Sequence, residues 1–196
     1  MRLKIFLLFI TILYTTKIYS QEIEFQISMI GEPQKIFLKK DIDQNYIGYI
    51  ISEFYKPNKY IIGIQIAKYR EIVIKTDLQP NVVKELMTEL NNAGISDLKK
   101  CESDDECKTI KFLDSDFLVF KIKSENTYNV FEYSNIYPES KTKNNIEKNN
   151  LRRKAQIMIS IIDNKLNLSE HFRKALKKVG KPYCYHCGGI SSCCSK

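Results

Sequence analysis

The spacing of apolar residues changes part-way along this chain, and a chain with both spacings has to build both a sheet and helices. From Glu22 to Ile30 the pattern alternates: Ile23, Phe25, Ile27 and Met29 point one way, Glu24, Gln26 and Ser28 the other. Period two marks a strand with one buried face. Gly31-Glu32-Pro33 breaks it, and a short second strand is expected around Lys35–Leu38. Tyr46–Tyr55 and Tyr60–Ala67 are rich in Ile and Tyr. The stretch Lys56-Pro57-Asn58-Lys59 between them reads as the loop of a hairpin. Glu71–Thr76 reads as one more short strand, or as an extension of the previous one past a bulge.

At Pro80 the period becomes helical. Proline suits a first helical turn, where its missing N–H costs nothing. Val83, Leu86, Leu90 and Ala93 follow at helical spacing, and Gly94 stops the run. A helix is therefore expected over about 80–93. Alternation returns at Thr109–Leu113, Phe117–Lys123 and Tyr128–Tyr133, which together read as a three-stranded meander. From Asn145 the chain is helical again. Leu151, Ala155, Met158, Ile162 and Leu166 make one stripe, widened by Ile159, and Arg152, Arg153, Lys154 and Lys165 fall off it. Ser169 is expected to cap a last helix that buries Phe172, Ala175, Leu176 and Val179, with Gly180 and Pro182 ending it. The expected fold is α+β: an antiparallel sheet of about six or seven strands, with one central helix and two C-terminal helices packed on one face.

Three segments are expected. Residues 1–20 read as a secretory signal peptide: Arg2 and Lys4, then an apolar run from Ile5 to Leu13 broken only by Thr11, then a polar stretch ending in Ser20. That run is shorter than the roughly 20 residues that span a bilayer, so cleavage before Gln21 is expected. Residues 21–180 read as a single domain and 181–196 as a cysteine-rich tail. A secreted, periplasmic or cell-envelope location follows.

All six cysteines lie beyond the signal: Cys101, Cys107, Cys184, Cys187, Cys193 and Cys194. An even count in an exported chain points to disulfides, and sequence leaves about 15 pairings of six cysteines open. Cys101 and Cys107 flank a short loop far from the others and are expected to bond to each other. Cys184-Tyr185-His186-Cys187 resembles the active-site motif of thioredoxin-like disulfide oxidoreductases over four residues. In that family the motif follows an early strand and opens a long helix, which makes the first thiol nucleophilic. Here it follows the last helix and precedes Gly188-Gly189. A zinc site built from Cys184 and Cys187 with Cys193 or Cys194 is the other chemical reading. Adjacent cysteines diverge along a strand, however, and serve a tetrahedral site poorly. A disulfide-tied tail is the reading carried forward, with thiol-redox or metal chemistry at Cys184 and Cys187 as the alternative.

Other chemistry has little to work with. There are only 7 Gly and 2 His in the whole chain. The sequence has no G-x-G-x-x-G, no Walker-type glycine loop, no G-x-S-x-G and no H-E-x-x-H. No nucleotide, metal or cofactor is expected, and an enzyme is less expected than a binding protein. The acidic run between Cys101 and Cys107 lacks the ligand pattern of an EF-hand and reads as a solvated loop.

Charge is divided. Residues 21–140 hold 15 basic and 20 acidic side chains, a net of 15 − 20 = −5, while residues 141–182 hold 12 and 3, a net of 12 − 3 = +9. Either the basic segment packs beside the acidic one, or it meets an anionic partner. Arg152, Arg153, Lys154, Arg173, Lys174, Lys177 and Lys178 are the candidates for such contact. An anionic membrane surface or an acidic envelope polymer is the expected partner, ahead of nucleic acid.

Overall fold

The computed structural model describes residues 21–195, apart from 31, 57–58, 62–63, 68–69, 111–115, 126, 143–144 and 189–190. The signal-peptide reading of residues 1–20 lies outside these. So does most of the expected strand 109–113.

The main sheet is antiparallel and α+β class is plain. Its strands are β1 (Ile23–Ile30), β2 (Gln34–Lys40), β3 (Tyr46–Lys56), β6 (Arg70–Asp77), β7 (Phe117–Ser124), β8 (Thr127–Ser134), β9 (Tyr183–His186) and β10 (Ser192–Ser195). The order is β10-β9-β3-β2-β1-β7-β8, with β6 also on β3. Among the described residues four α-helices accompany it: α1 (Pro80–Asn92), α2 (Asp105–Thr109), α3 (Asn150–Leu166) and α4 (Leu168–Val179).

Alternation decides which face is covered. Phe25, Ile27 and Met29 of β1, Ile36 and Leu38 of β2, Ile50 of β3, and Leu118 and Phe120 of β7 are buried together. They share one cluster with Val83, Leu86 and Leu90 of α1 and with Ala155, Met158, Ile159 and Ile162 of α3. Helices α1 and α3 therefore pack against that buried face. Gly48 permits the close approach of α1: a Cβ there would lie 2.7 Å from a Val83 methyl carbon and 3.1 Å from the Phe37 carbonyl oxygen. Gly94, at φ 81°, turns the chain out of α1, a conformation that costs glycine little.

Several expected elements differ. Tyr46–Tyr55 does not pair with Tyr60–Ala67. Instead β3 pairs with β6 over eight residue pairs, from Tyr49↔Asp77 to Lys56↔Arg70. Between them β4 (Lys59–Ile61) and β5 (Ile64–Ala67) pair with each other as a separate two-stranded sheet. The longer strand β6 offers β3 a longer ladder than either short piece.

Of the expected meander, β7 and β8 pair with each other, and the other neighbour of β7 is β1, paired from Ile23↔Ser124 to Ile30↔Phe117. Thr109 ends a helix and does not begin a strand. The Asp104 carboxylate accepts the Cys107 N–H at 2.7 Å, and Asp105 and Glu106 occupy the first turn, a helix start favoured by capping and by the dipole.

The C-terminal helices also begin elsewhere than expected. Helix α3 starts at Asn150, not Asn145, because Asn149 caps it by accepting the Leu151 and Arg152 N–H groups. Helix α4 is capped by Asn167, not Ser169. Asn167, at φ 51°, ends α3, and its carboxamide oxygen accepts the Glu170 N–H. Asparagine tolerates that left-handed conformation better than most residues.

Candidate anionic-surface interface

Helix α4 is held by aromatic packing at the end of β3. Phe172 stacks on Phe54 with ring centroids 5.6 Å apart, and Tyr185 of β9 meets the edge of Phe172 at 5.0 Å. Phe54 itself is buried, as are Leu168 and Ala175. With that stripe turned inward, the remaining positions of α4 face solvent, and these carry its charges.

Those charges differ in how far they are already satisfied. Arg173 donates two hydrogen bonds to Glu170, at 2.8 and 2.7 Å. Lys174 lies 3.7 Å from the same carboxylate. Arg173 is the main cause that holds Glu170 below the usual carboxylate range, and Lys174 adds to it. Lys177 and Lys178 occupy the last turn and are exposed. Neither takes part in an ion pair among the described residues, and the same holds for exposed Lys181 beyond the helix. Cations in a last helical turn complement the macrodipole, so this end of α4 is stable as built and still presents net positive charge. His171, half-buried, is shifted down by desolvation and then by Lys174, so it adds no charge to the face at neutral pH.

Of the three expected contributors from α3, Arg152 is buried, and Arg153 and Lys154 lie in ion pairs. Arg152 is buried, its side chain 2 % exposed, and it donates from Nε and Nη2 to Glu147 at 2.8 and 3.0 Å. Its Nη1 donates to the Ser134 carbonyl at 2.9 Å. Arg152 is therefore a core residue and no part of a surface site. The reason was present in the spacing: Arg152 sits three and seven positions before Ala155 and Ile159, on the buried stripe itself. Arg153 pairs with Glu139 and also donates to Gln156 at 2.8 Å. Lys154 lies 3.9 Å from Asp97, and Lys165 reaches Glu85 at 2.7 Å and Glu89 at 3.1 Å. Arg153, Lys154 and Lys165 of α3 are thus matched against residues of the acidic part of the chain, Arg173 and Lys174 of α4 against Glu170 of their own helix, and Lys177 and Lys178 are in no ion pair among the described residues.

The hairpin β9–β10 braces this end of the molecule. Its register places Cys184 opposite Cys194, and these two are disulfide-bonded with Cα atoms 4.1 Å apart. Cys187 bonds to Cys193 at a Cα separation of 5.7 Å. The adjacent Cys193 and Cys194 diverge, and each takes its own partner. Cys184 and Cys187 are thus bonded to different cysteines and not to each other. Tyr55 pairs with Cys184 on one side and Glu71 on the other, so β9 continues the β3 edge that β2 leaves at Ser52. Strands β9 and β10 of the cysteine-rich segment are thus part of the main sheet.

The Cys101–Cys107 disulfide is present, Cα atoms 5.2 Å apart. Its acidic loop has structural work for two carboxylates: Asn149 donates to Asp104 at 3.0 Å and to Glu106 at 3.1 Å. The Cys107 N–H first, and Asn149 second, hold Asp104 below its ordinary range. Among the described residues no group of three or more His, Cys, Asp or Glu is placed to hold a metal ion. A small, partly open cavity of about 20 Å³ is lined in part by Ser28 of β1, Glu32, Gln34 of β2 and Ile159 of α3. That volume suits a single water.

Three disulfides fit an oxidising or extracellular compartment. No described helix is long and apolar enough to cross a membrane. Comparison with protein-family models, with curated proteins and with solved structures finds no match to this chain.

Proposed function

We propose that this is an exported, non-enzymatic binding protein of the cell envelope or its surroundings, and that it meets an anionic surface through the C-terminal end of α4. One observation carries the reading: Lys177 and Lys178 are exposed, without ion pairs among the described residues, on a helix held by the Phe172–Phe54 stack beside the bonded hairpin. Arg173, Lys174 and Lys181 extend the positive field around them. A rigid cluster spends little conformational entropy on contact beyond that of its own side chains. Each lysine close to an anionic membrane contributes about 1 kcal/mol.

The test is retention on anionic vesicles and, separately, on an acidic polysaccharide, at low and high salt. Lys177→Gln, Lys178→Gln should weaken retention by roughly tenfold or more if both lysines touch the surface. Wild-type retention should also collapse at 1 M salt, where the screening length is about 3 Å. The arm that shows both effects identifies the partner class. Equal retention of variant and wild type on both supports would overturn the reading.

Export carries its own expectation. The mature chain begins at Gln21, because the apolar run of the leader ends before the polar stretch that closes with Ser20. Intact-mass measurement of protein recovered outside the cytoplasm checks this. A recovered mass that still includes residues 1–20 would refute cleavage.

A further inference from the structure

Helix α4 covers its apolar side chains less completely than α3 does. In α3 the stripe of Ala155, Met158, Ile159, Ile162 and Leu166 is buried throughout. In α4 the apolar positions are Leu168, Phe172, Ala175, Leu176 and Val179, and only Leu168 and Ala175 are buried. Phe172, Leu176 and Val179 are half-buried and keep part of their surface accessible. Beyond Ala175 no residue of α4 is buried. A Cβ built on Gly180, the residue that ends the helix, would meet no atom within 4 Å. The chain therefore leaves α4 in open space.

The same end carries unneutralised charge. Residues 168–196 hold six basic side chains and one acidic one, Glu170. Glu170 lies in the first turn of α4 and is taken by Arg173 and Lys174. Lys177, Lys178 and Lys181 are exposed and in no ion pair among the described residues. Leu176 precedes the lysine pair and Val179 follows it. Accessible apolar surface and free cation thus share one patch.

We infer that the partner of this patch is an anionic lipid bilayer, into whose interface the last turn of α4 dips Leu176 and Val179 while Lys177, Lys178 and Lys181 meet the headgroups. The inference rests on the reading of the basic face given above and names its partner. Charge complementarity by itself serves an acidic polysaccharide equally well. The apolar side chains decide between the two. A hydrated polysaccharide offers anions but no apolar phase, so Leu176 and Val179 would gain little against it. A bilayer stacks anionic headgroups over acyl chains, and an amphipathic helix lies with its apolar side about 5–10 Å into that boundary. Lysine suits the geometry, because its stem packs along apolar surface while the ammonium stays in water. Two part-accessible apolar side chains and three lysines make a reversible, salt-sensitive attachment and not a spanning one.

Binding of the mature protein to vesicles of phosphatidylcholine and phosphatidylglycerol tests it, with alginate as the hydrated anionic support. Leu176→Ser, Val179→Ser should weaken vesicle binding roughly tenfold, through lost transfer of apolar surface into the interface. Serines there also loosen the contact between α4 and the sheet, so a second variant decides. The chain has no Trp, and Val179→Trp supplies a single fluorophore on a protein whose melting is checked against wild type. Its emission should shift to the blue on anionic vesicles and be quenched when their acyl chains are brominated, and it should do neither on alginate. Salt-sensitive vesicle binding without shift or quenching would leave the charge reading standing and overturn the inference. Retention on alginate but not on vesicles would make the polysaccharide the partner and overturn it as well. Retention on neither support would overturn both readings.

Discussion

Replacing Ile162 with Asp should lower unfolding free energy by about 5 kcal/mol, among the largest effects a single substitution has. Ile162 is fully buried in the cluster that joins α3 to the sheet. The substitution removes an apolar side chain and leaves a carboxylate among Met158, Ile159 and Leu166 with no cation placed to meet it. Its pKa would rise and the group would neutralise, but a buried carboxylic acid without a partner is still costly. Domains of this size have roughly 5–15 kcal/mol in all, so the variant should lose between about a third and all of its stability. Urea titration followed by circular dichroism is the measurement. A midpoint equal to wild type would show that the α3 stripe does not face the core.

Glu147→Ala should cost about 3–5 kcal/mol, because it strips a buried guanidinium of its carboxylate. The asymmetry of the pair makes the experiment informative: the Arg152 side chain is 2 % exposed and that of Glu147 is 25 % exposed. Removing Arg152 leaves a carboxylate that can still reach water. Removing Glu147 leaves a charge that cannot. Arg152→Met should therefore be milder than Glu147→Ala, and Arg152→Met, Glu147→Leu milder than the sum of the two single changes, since replacement of a whole buried pair by apolar groups is often nearly neutral. The same denaturant titration on all three variants, arranged as a double-mutant cycle, gives the coupling. Additive effects, or a Glu147→Ala midpoint within error of wild type, would show that the pair is not a structural bond of the core.

Much of the architecture was legible in local sequence. Alternation from Ile23 to Met29 marked β1 and its buried face. Pro80 and Gly94 bracketed α1, and Val83, Leu86 and Leu90 turned inward as their spacing required. The isolated Cys101 and Cys107 named each other. These signals rest on contacts between residues close in the chain, where backbone geometry alone sets which side chains meet.

Partner choice was not legible. That β3 takes β6 and not the nearer Tyr60–Ala67, and that β7 takes β1 from the far end of the chain, depends on which strands fill a common sheet, a competition no local window records. The bonds Cys184–Cys194 and Cys187–Cys193 became definite only when the hairpin register set which cysteines face each other. The candidate site shows the same division. Sequence located the excess of positive charge in 141–182 but treated seven basic residues as alike. Tertiary structure separated them. Arg152 went into the core with Glu147, Arg153 and Lys154 were matched to Glu139 and Asp97, and Lys177 and Lys178 were left facing water. Charge is a property of each residue and is readable one position at a time. Whether a charge is neutralised depends on which distant carboxylate comes within a few ångströms, and only folding decides that.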